Sequence, residues 1–162
     1  MARIEESIEV DVPVRMAYNQ WTQFEEFPQF MEGVEEVVQL DDTTLQWKAE
    51  VAGQDKTWKA GIIEQIPDQK VSWRSIAGAE NAGTVTFEPI DADRTRVNLV
   101  MEVDPEGPLE NLGTALGFLE RRVKGDLGRF KEFIEGRGQE SGAWRGSVRG
   151  GEKTSDDPTA TR

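Results

Sequence analysis

Apolar residues near the C-terminus recur at every third or fourth position, and this spacing predicts one long amphipathic helix over residues 107–137. The apolar positions are Leu109, Leu112, Leu116, Leu119, Val123, Leu127, Phe130 and Ile134. Pro108 suits a first helical turn, and Gly136 and Gly138 favour an end to the helix. At about 1.5 Å per residue the helix extends roughly 45 Å, the width of a small domain. We therefore expect it to lie across most of the remaining fold.

Alternating apolar and polar residues predict β-strands through most of the chain before this helix. The first strand covers residues 3–12, and helical spacing after Pro13 together with an aromatic cluster at residues 23–31 predicts two short helices. Six further alternating segments, separated by turn residues, follow between residues 34 and 103. Consecutive strands with short connections form an antiparallel meander. One face is apolar and the other polar, so we expect the long helix to cover the apolar face.

Length and composition restrict the class of protein. A chain of 162 residues corresponds to one domain, and neither a membrane segment nor a secretory signal is visible, so we expect a soluble cytoplasmic protein. The net charge of −12 argues against nucleic acid and anionic membrane surfaces as partners. Because the chain has no Cys and no His, it offers no thiolate nucleophile, imidazole base or zinc site with nitrogen and sulfur ligands. Acid–base chemistry would depend on Asp, Glu, Tyr, Lys or Arg.

The composition changes after residue 137. Residues 138–162 are rich in Gly, Ser, Thr and charge, which predicts a disordered tail after a domain at residues 1–137. Trp144 is the only large apolar side chain in this segment. We interpret Trp144 as exposed to solvent, with packing onto the domain or contact with a partner as the alternatives.

The predicted order of elements is similar to the helix-grip arrangement of the START-like superfamily. The stretch VDVPVRMAYNQW at residues 10–21, the aromatic positions at 24–31, and the VSWRS strand at 71–75 with its following turn resemble the polyketide cyclase/dehydrase and coenzyme Q-binding branch. The resemblance covers residues 3–137. It implies an α+β helix-grip fold, in which a curved antiparallel sheet of about seven strands wraps around the long C-terminal helix and two short helices follow strand 1.

The resemblance also implies a cavity between the concave face of the sheet and the helices. The inward positions, and therefore the predicted ligand-binding residues, are Tyr18, Trp21, Phe27, Phe30, Met31, Trp47, Trp58, Trp73, Phe87, Leu99, Met101, Leu112, Leu116 and Leu119. The alternative for each of them is a role in core packing alone. A pocket with such walls suits a flat hydrophobic ligand that carries one or two polar groups.

Three polar residues are the candidates for catalysis. Glu64 has the same parity as Trp58 and Ile62, so strict alternation directs it toward the apolar face, where desolvation would raise the pKa of its carboxyl group. Tyr18 and Ser75 would supply hydroxyl groups. The alternative for Glu64 is a salt bridge or a solvated strand end. The resemblance transfers no catalytic residue, and we predict neither a cofactor nor a metal site.

Three hypotheses for the function follow. The first is binding of a small hydrophobic molecule, such as a lipid, a quinone or a polyketide. The second is a polyketide cyclase/dehydratase that uses Glu64, Tyr18 or Ser75 for enolisation and loss of water. The third is a protein-interaction domain with a packed core and no ligand. The sequence leaves the ligand, the reaction and the oligomeric state open.

Overall fold

The fold is described from a computed structural model, which covers residues 2–51, 53–78, 80–103 and 112–155. In chain order the elements are β1 (Ala2–Val10), α1 (Val14–Trp21), a 3-10 helix (Phe24–Gln29), β2 (Val34–Asp41), β3 (Thr44–Val51), β4 (Gln54–Ile66), β5 (Lys70–Gly78), β6 (Asn81–Asp91), β7 (Arg94–Val103), α2 (Leu112–Arg137), β8 (Ser147–Arg149) and β9 (Glu152–Ser155). The long helix is therefore observed from Leu112 onward, and residues 107–111 of the predicted helix lie outside the described residues.

Strands β1 to β7 form one antiparallel sheet in the order β1-β7-β6-β5-β4-β3-β2. Strands β2 to β7 each pair with their neighbours in the chain, as expected for a meander with short turns. Strand β1 adds to the far edge by pairing with β7, where Ile4 lies opposite Met101. The predicted α+β helix-grip fold, with two short helices after the first strand and a long C-terminal helix, is confirmed.

Helix α2 packs its apolar stripe against the inner face of the sheet. Val123, Leu127, Phe130 and Ile134 are buried, and their steps of four, three and four residues place them on one side of the helix. Polar contacts fix the end of α2 next to β1. Lys131 Nζ donates to the carbonyl oxygen of Glu9 at 3.1 Å. This anchoring leaves the earlier turns of α2 above the middle of the sheet.

A β-bulge interrupts the alternation of β4. Ile62 lies opposite Trp73 of β5, whereas Glu64 lies opposite Ser72, so Ile63 is an extra residue in β4. Because side chains alternate across a strand, one extra residue exchanges the two faces for everything that follows. Gln65 is consequently fully buried, while Glu64 points to the outer side.

The C-terminal segment, residues 138–155, is folded, and the prediction of a disordered tail is corrected for it. Strand β8 pairs with β4, where Val148 lies opposite Gln65, and with β9. Trp144 is 6% exposed and Val148 is completely buried, so Trp144 is not a solvent-exposed residue. These few apolar residues anchor the segment, although its Gly, Ser and charged residues dominate its composition. Residues 156–162 of the predicted tail lie outside the described residues.

Hydrogen bonds attach the C-terminal segment to α1 and to the turn after β4. Arg145 is 3% exposed and donates to Asn19 Oδ1 at 2.6 Å and to Asp68 Oδ2 at 2.8 Å. The backbone N–H of Trp144 donates to Thr22 Oγ1 at 3.0 Å. Buried cations are expensive unless they are paired, so these contacts fix one position for the segment. The C-terminal segment is thereby attached to α1 and to the residue that follows it.

Candidate ligand-binding site

A cavity of about 170 Å³ lies between the inner face of the sheet, α2 and the 3-10 helix. Its aromatic walls consist of Trp21, Phe24, Phe27, Trp47, Trp58 and Trp73. Aliphatic side chains from β3, β4, β5, β7 and α2 complete the apolar lining. The strands and helices of the fold therefore enclose a space that their own side chains do not fill.

Trp47 and Trp58 form a stacked pair in the aromatic wall. The two residues lie directly opposite each other in β3 and β4, and their rings are 5.5 Å apart with planes 10° from parallel. The ring centre of Phe27, in the 3-10 helix, lies 5.6 Å from that of Trp47 and 5.3 Å from that of Trp21 in α1. Aromatic side chains keep few rotatable bonds, so this wall is a rigid flat surface.

Two indole N–H groups give the apolar wall some polarity. Trp73 Nε1 donates to Asn81 Oδ1 at 3.1 Å, and Asn81 also lines the cavity. Trp58 Nε1 is buried and has no hydrogen-bond partner among the described residues. A buried donor without a partner costs roughly 1–3 kcal/mol, which is tolerated in a structure mainly where other contacts hold the ring in place.

Charged residues gather where α2 faces the loop after the 3-10 helix. Asp126, Arg122 and Glu32 line the cavity there. Asp126 Oδ1 accepts a hydrogen bond from the backbone N–H of Glu32 at 2.9 Å and forms a salt bridge with Arg129. Burial raises the pKa of the Asp126 carboxyl group, and the hydrogen bonds and charge of Arg129 only partly oppose this. The cavity thus has an apolar aromatic body and one charged end.

Arg122 lies at the charged end and connects α2 to β3. Its Nη1 donates to the carbonyl oxygen of Glu50, and its guanidinium lies 4.7 Å from the centre of the Phe118 ring. Gly33, which has φ +81°, leaves room for this arrangement, because a Cβ atom there would lie 2.5 Å from Arg122 Nη1. A Cβ atom there would also lie 2.5 Å from the backbone carbonyl oxygen of Glu50, so the backbone angle and this carbonyl together require a glycine.

The sequence profile of the family described as polyketide cyclase/dehydrase and lipid transport matches residues 10–132. The chain belongs to this family. A relative with high similarity is an uncharacterised 17.2 kDa protein encoded in the melC2-rnhH intergenic region of Streptomyces lincolnensis. It is 56% identical over 149 residues, which are 91% of this chain and 99% of that protein.

Solved structures show the same fold at low sequence identity. The Zhui aromatase/cyclase of Streptomyces sp. R1128 superimposes with a TM-score of 0.70 at 18% identity, over 88% of this chain and 98% of that one. A START superfamily protein from Mycobacterium smegmatis gives a TM-score of 0.63 at 15% identity, over 78% of this chain and 97% of that one. This family member therefore has the START-like helix-grip fold, and its cavity-lining residues all fall inside the family match.

Many of the residues predicted to bind ligand do line the cavity of this family member. They are Trp21, Phe27, Met31, Trp47, Trp58, Trp73, Leu99, Met101 and Leu119. Strand alternation places the sheet residues there, and helical spacing places Leu119 on the facing side of α2. Their role in binding remains a prediction, which is developed below.

Other predicted residues belong to the core outside the cavity. Tyr18 is completely buried, its hydroxyl group accepts a hydrogen bond from Gln65, and Phe87 packs against its ring at 5.4 Å. Phe30 packs against Phe130 at 5.4 Å. Leu116 packs against the core without lining the cavity, and the side chain of Leu112 lies outside the described residues. Tyr18 and Phe87 thus fill the space between α1 and β6, and Phe30 and Phe130 fill the space between the end of the 3-10 helix and α2.

The three catalytic candidates do not converge on the cavity. Glu64 forms a salt bridge with Lys70, and its side chain is 36% exposed, because the bulge at Ile63 turns it outward. Ser75 Oγ accepts a hydrogen bond from the backbone N–H of Asn81 at 3.1 Å and does not line the cavity. Burial raises the pKa of Tyr18 strongly, which keeps the hydroxyl group protonated. None of the three candidates lines the cavity, and a catalytic role for them stays an untested prediction.

Several lining residues were not among those predicted. The apolar ones are Phe24, Val34, Leu45, Ala49, Ile62, Val71, Val123 and Leu127. Most share a strand face or a helix face with a predicted residue, so their periodicity was the available signal. The polar ones are Glu32, Asn81, Arg122 and Asp126. Arg122 and Asp126 are four residues apart on α2, and this pairing at the border of the apolar stripe is a weak signal in sequence alone.

Two features are absent from the described part of the chain. No helix there is long and apolar enough to span a membrane. No group of three or more Asp and Glu side chains, the acidic ligand types that this chain contains, is arranged around a common point in a way that suits a metal ion within those same residues. The cavity is therefore described by its aromatic walls and its one charged end.

Proposed function

We propose that this family member binds a small, flat, hydrophobic molecule in the aromatic cavity, such as a quinone, an aromatic polyketide or a related lipid. The observation that supports the proposal is the stacked wall of Trp47 and Trp58, which borders unfilled space. Concave sites with apolar aromatic walls and a few polar groups are typical of ligand binding. A filled interior would have favoured the interaction-domain hypothesis, and the cavity argues against it.

The cavity volume restricts the size of the ligand. An apolar protein cavity of roughly 150 Å³ accommodates a benzene molecule. A cavity of about 170 Å³ thus suits one aromatic ring with small substituents when the walls keep their positions. A larger polyketide or an isoprenoid quinone would have its ring in the cavity and the remainder outside it. The acidic composition and the lack of Cys are consistent with a cytoplasmic protein, which is also part of this proposal.

Native mass spectrometry of freshly purified protein, followed by organic extraction, tests the proposal. We expect an aromatic or isoprenoid species at near-stoichiometric amount. Ala49→Leu places a larger side chain at a buried lining position and should abolish the added mass, whereas Ala77→Leu makes the same change at an exposed position in β5 and should not. Binding in the cavity would be contradicted if both variants kept the ligand or if both lost it.

A cyclase/dehydratase activity is the second candidate. The observation that favours it is Asp126, whose carboxyl group lines the cavity with a pKa raised by burial. Such a group can exchange a proton with a bound ketone closer to neutral pH than an ordinary Asp. Incubation with a short poly-β-keto thioester and analysis of the cyclised products would test this. The Asp126→Asn variant should lose turnover, and turnover that survives this change would exclude Asp126 as the acid or base.

A further inference from the structure

One oxygen of a carboxyl group in the cavity lining is not used by the protein. Asp126 Oδ1 accepts from the backbone N–H of Glu32 and pairs with Arg129. Asp126 Oδ2 has no hydrogen-bond partner among the described residues. Asp126 is one of the residues that line the cavity, and its side chain is 16% exposed. The charged end of the cavity therefore offers a strong acceptor whose natural partner is a hydrogen-bond donor.

The two guanidinium groups near this acceptor are already engaged. Arg129 Nε donates to the carbonyl oxygen of Phe30 at 2.8 Å, and Arg129 Nη2 lies 3.7 Å from Glu32 Oε2 besides pairing with Asp126. Arg122 is held by the carbonyl oxygen of Glu50 and the ring of Phe118. The carboxylates of Glu32 and Asp126 both pair with Arg129, so this cluster holds two carboxylates and two guanidinium groups. A ligand carboxylate at this end would meet two acidic groups and no net positive charge.

Burial opposes additional negative charge at the same place. The pKa of Asp126 is raised although Arg129, the N–H of Glu32 and Arg122 all lower it, so desolvation exceeds their combined effect. A second anion would lose its hydration in the same surroundings. The net charge of −12 for the whole chain also disfavours the approach of an anion.

We propose that the ligand is an aromatic molecule with a hydrogen-bond donor, either a phenolic hydroxyl or a protonated amine, which binds Asp126 Oδ2, and that the site rejects carboxylic acids. This inference rests on the proposed function, because it specifies the ligand class for the same cavity. The proposed ligand class includes hydroquinones, phenols and aromatic amines and excludes fatty acids. The aromatic ring lies against the tryptophan wall, and the donor group is directed toward α2.

Four single-ring probes test the donor requirement by isothermal titration calorimetry at pH 7.5. They share a 4-methylphenyl ring and are 4-methylphenol, 4-methylbenzylamine, 4-methylanisole and 4-methylbenzoate. A hydrogen bond to a charged group changes affinity by roughly tenfold or more. We therefore expect 4-methylphenol or 4-methylbenzylamine to bind about tenfold more tightly than 4-methylanisole. Whichever of these two probes binds more tightly shows whether the natural ligand's donor is a hydroxyl group or an amine. We expect 4-methylbenzoate to bind most weakly of the four.

The variant Asp126→Asn separates the donor contact from ligand size. The amide keeps an oxygen for the N–H of Glu32 but places a donor where Oδ2 was, so the preference for the donor probe over 4-methylanisole should fall to within about twofold. Glu132→Gln removes the same charge from an exposed position of α2 and should keep the wild-type preference. If Asp126→Asn does not fold, the ranking of the four probes on the wild-type protein still decides.

The outcomes distinguish this inference from the proposed function. Equal binding of 4-methylphenol, 4-methylbenzylamine and 4-methylanisole to the wild type would overturn the donor requirement while supporting an apolar cavity site. Tightest binding of 4-methylbenzoate would overturn the rejection of carboxylates. A preference for the donor that persists in Asp126→Asn would overturn the role of Asp126. Absence of binding by all four probes would contradict the proposed function itself.

Discussion

The hydroxyl oxygen of Tyr18 in α1 accepts a hydrogen bond from Gln65 Nε2 of β4 at 3.0 Å, and both side chains are fully buried. The guanidinium of Arg145 lies 5.5 Å from the centre of the Tyr18 ring. This contact links α1, the bulged end of β4 and the C-terminal segment at one point. Tyr18 is therefore a structural residue, and its hydroxyl group connects these elements through a buried hydrogen bond.

The buried hydroxyl group of Tyr18 should make stability depend on pH in the alkaline range. Its pKa is raised in the folded protein, mainly by desolvation, whereas the unfolded chain ionises near pH ~10. Below that pH both states hold the proton. Above it only the unfolded state releases the proton, so the free energy of unfolding should fall by up to about 1.4 kcal/mol per pH unit from this group.

Tyr18→Phe isolates this effect, because Tyr18 is the only tyrosine of the chain. Urea denaturation of both proteins between about pH 8 and pH 11 should give a difference curve that declines above pH ~10. Tyrosinate absorbance of the folded wild type should stay low over the same range. A tyrosine that ionises near pH ~10 in the folded protein would contradict its burial.

The bulge in β4 predicts different costs for two adjacent substitutions. Gln65→Ala removes a buried side chain and its contact with Tyr18, so we expect a loss of about 2–3 kcal/mol in the free energy of unfolding. Glu64→Ala removes a half-exposed salt bridge with Lys70 and should cost at most about 1 kcal/mol. Urea denaturation measures both. The reverse order would show that Glu64 faces inward, as uninterrupted alternation predicts.

The ion pair of Arg145 and Asp68 should contribute measurably to stability. Arg145→Met keeps much of the side-chain volume but leaves Asp68 and Asn19 without their buried partner, which should cost about 2–3 kcal/mol. Arg149→Met changes an exposed arginine of the same segment and should stay within about 0.5 kcal/mol of the wild type. Equal unfolding midpoints for the two variants would show that the C-terminal segment is not anchored in this way.

Periodicity was sufficient for the fold because nearly every element buries one face. The strand alternation around Trp47 and Trp58 and the helical spacing from Leu119 to Leu127 describe side chains whose direction follows from local geometry. The same spacing also identified many of the residues that line the cavity. Spacing could not distinguish residues that line the cavity from residues that only pack the core. Phe30 and Phe87 follow the same spacing as the lining residues but do not border the cavity.

The remaining errors have identifiable physical causes. A bulge depends on how two strands pair, so nothing within β4 itself reveals that Gln65 replaces Glu64 on the inner face. The C-terminal segment has the composition of a tail, and only Trp144, Arg145 and Val148 anchor it through contacts distant in sequence. Asp126 belongs to the polar border of α2, and its position in the cavity depends on how the helix is rotated against the sheet.

The indole N–H resonances of the chain's five tryptophans give the most direct test of the central claim. Trp21, Trp47, Trp58 and Trp73 line the cavity, whereas Trp144 is buried in the C-terminal segment away from it. Titration of ¹⁵N-labelled protein with 4-methylphenol, followed by ¹H–¹⁵N correlation spectra, should shift the first four resonances and leave that of Trp144 in place. Unchanged indole resonances at saturating probe, or a shift confined to Trp144, would contradict ligand binding in the aromatic cavity.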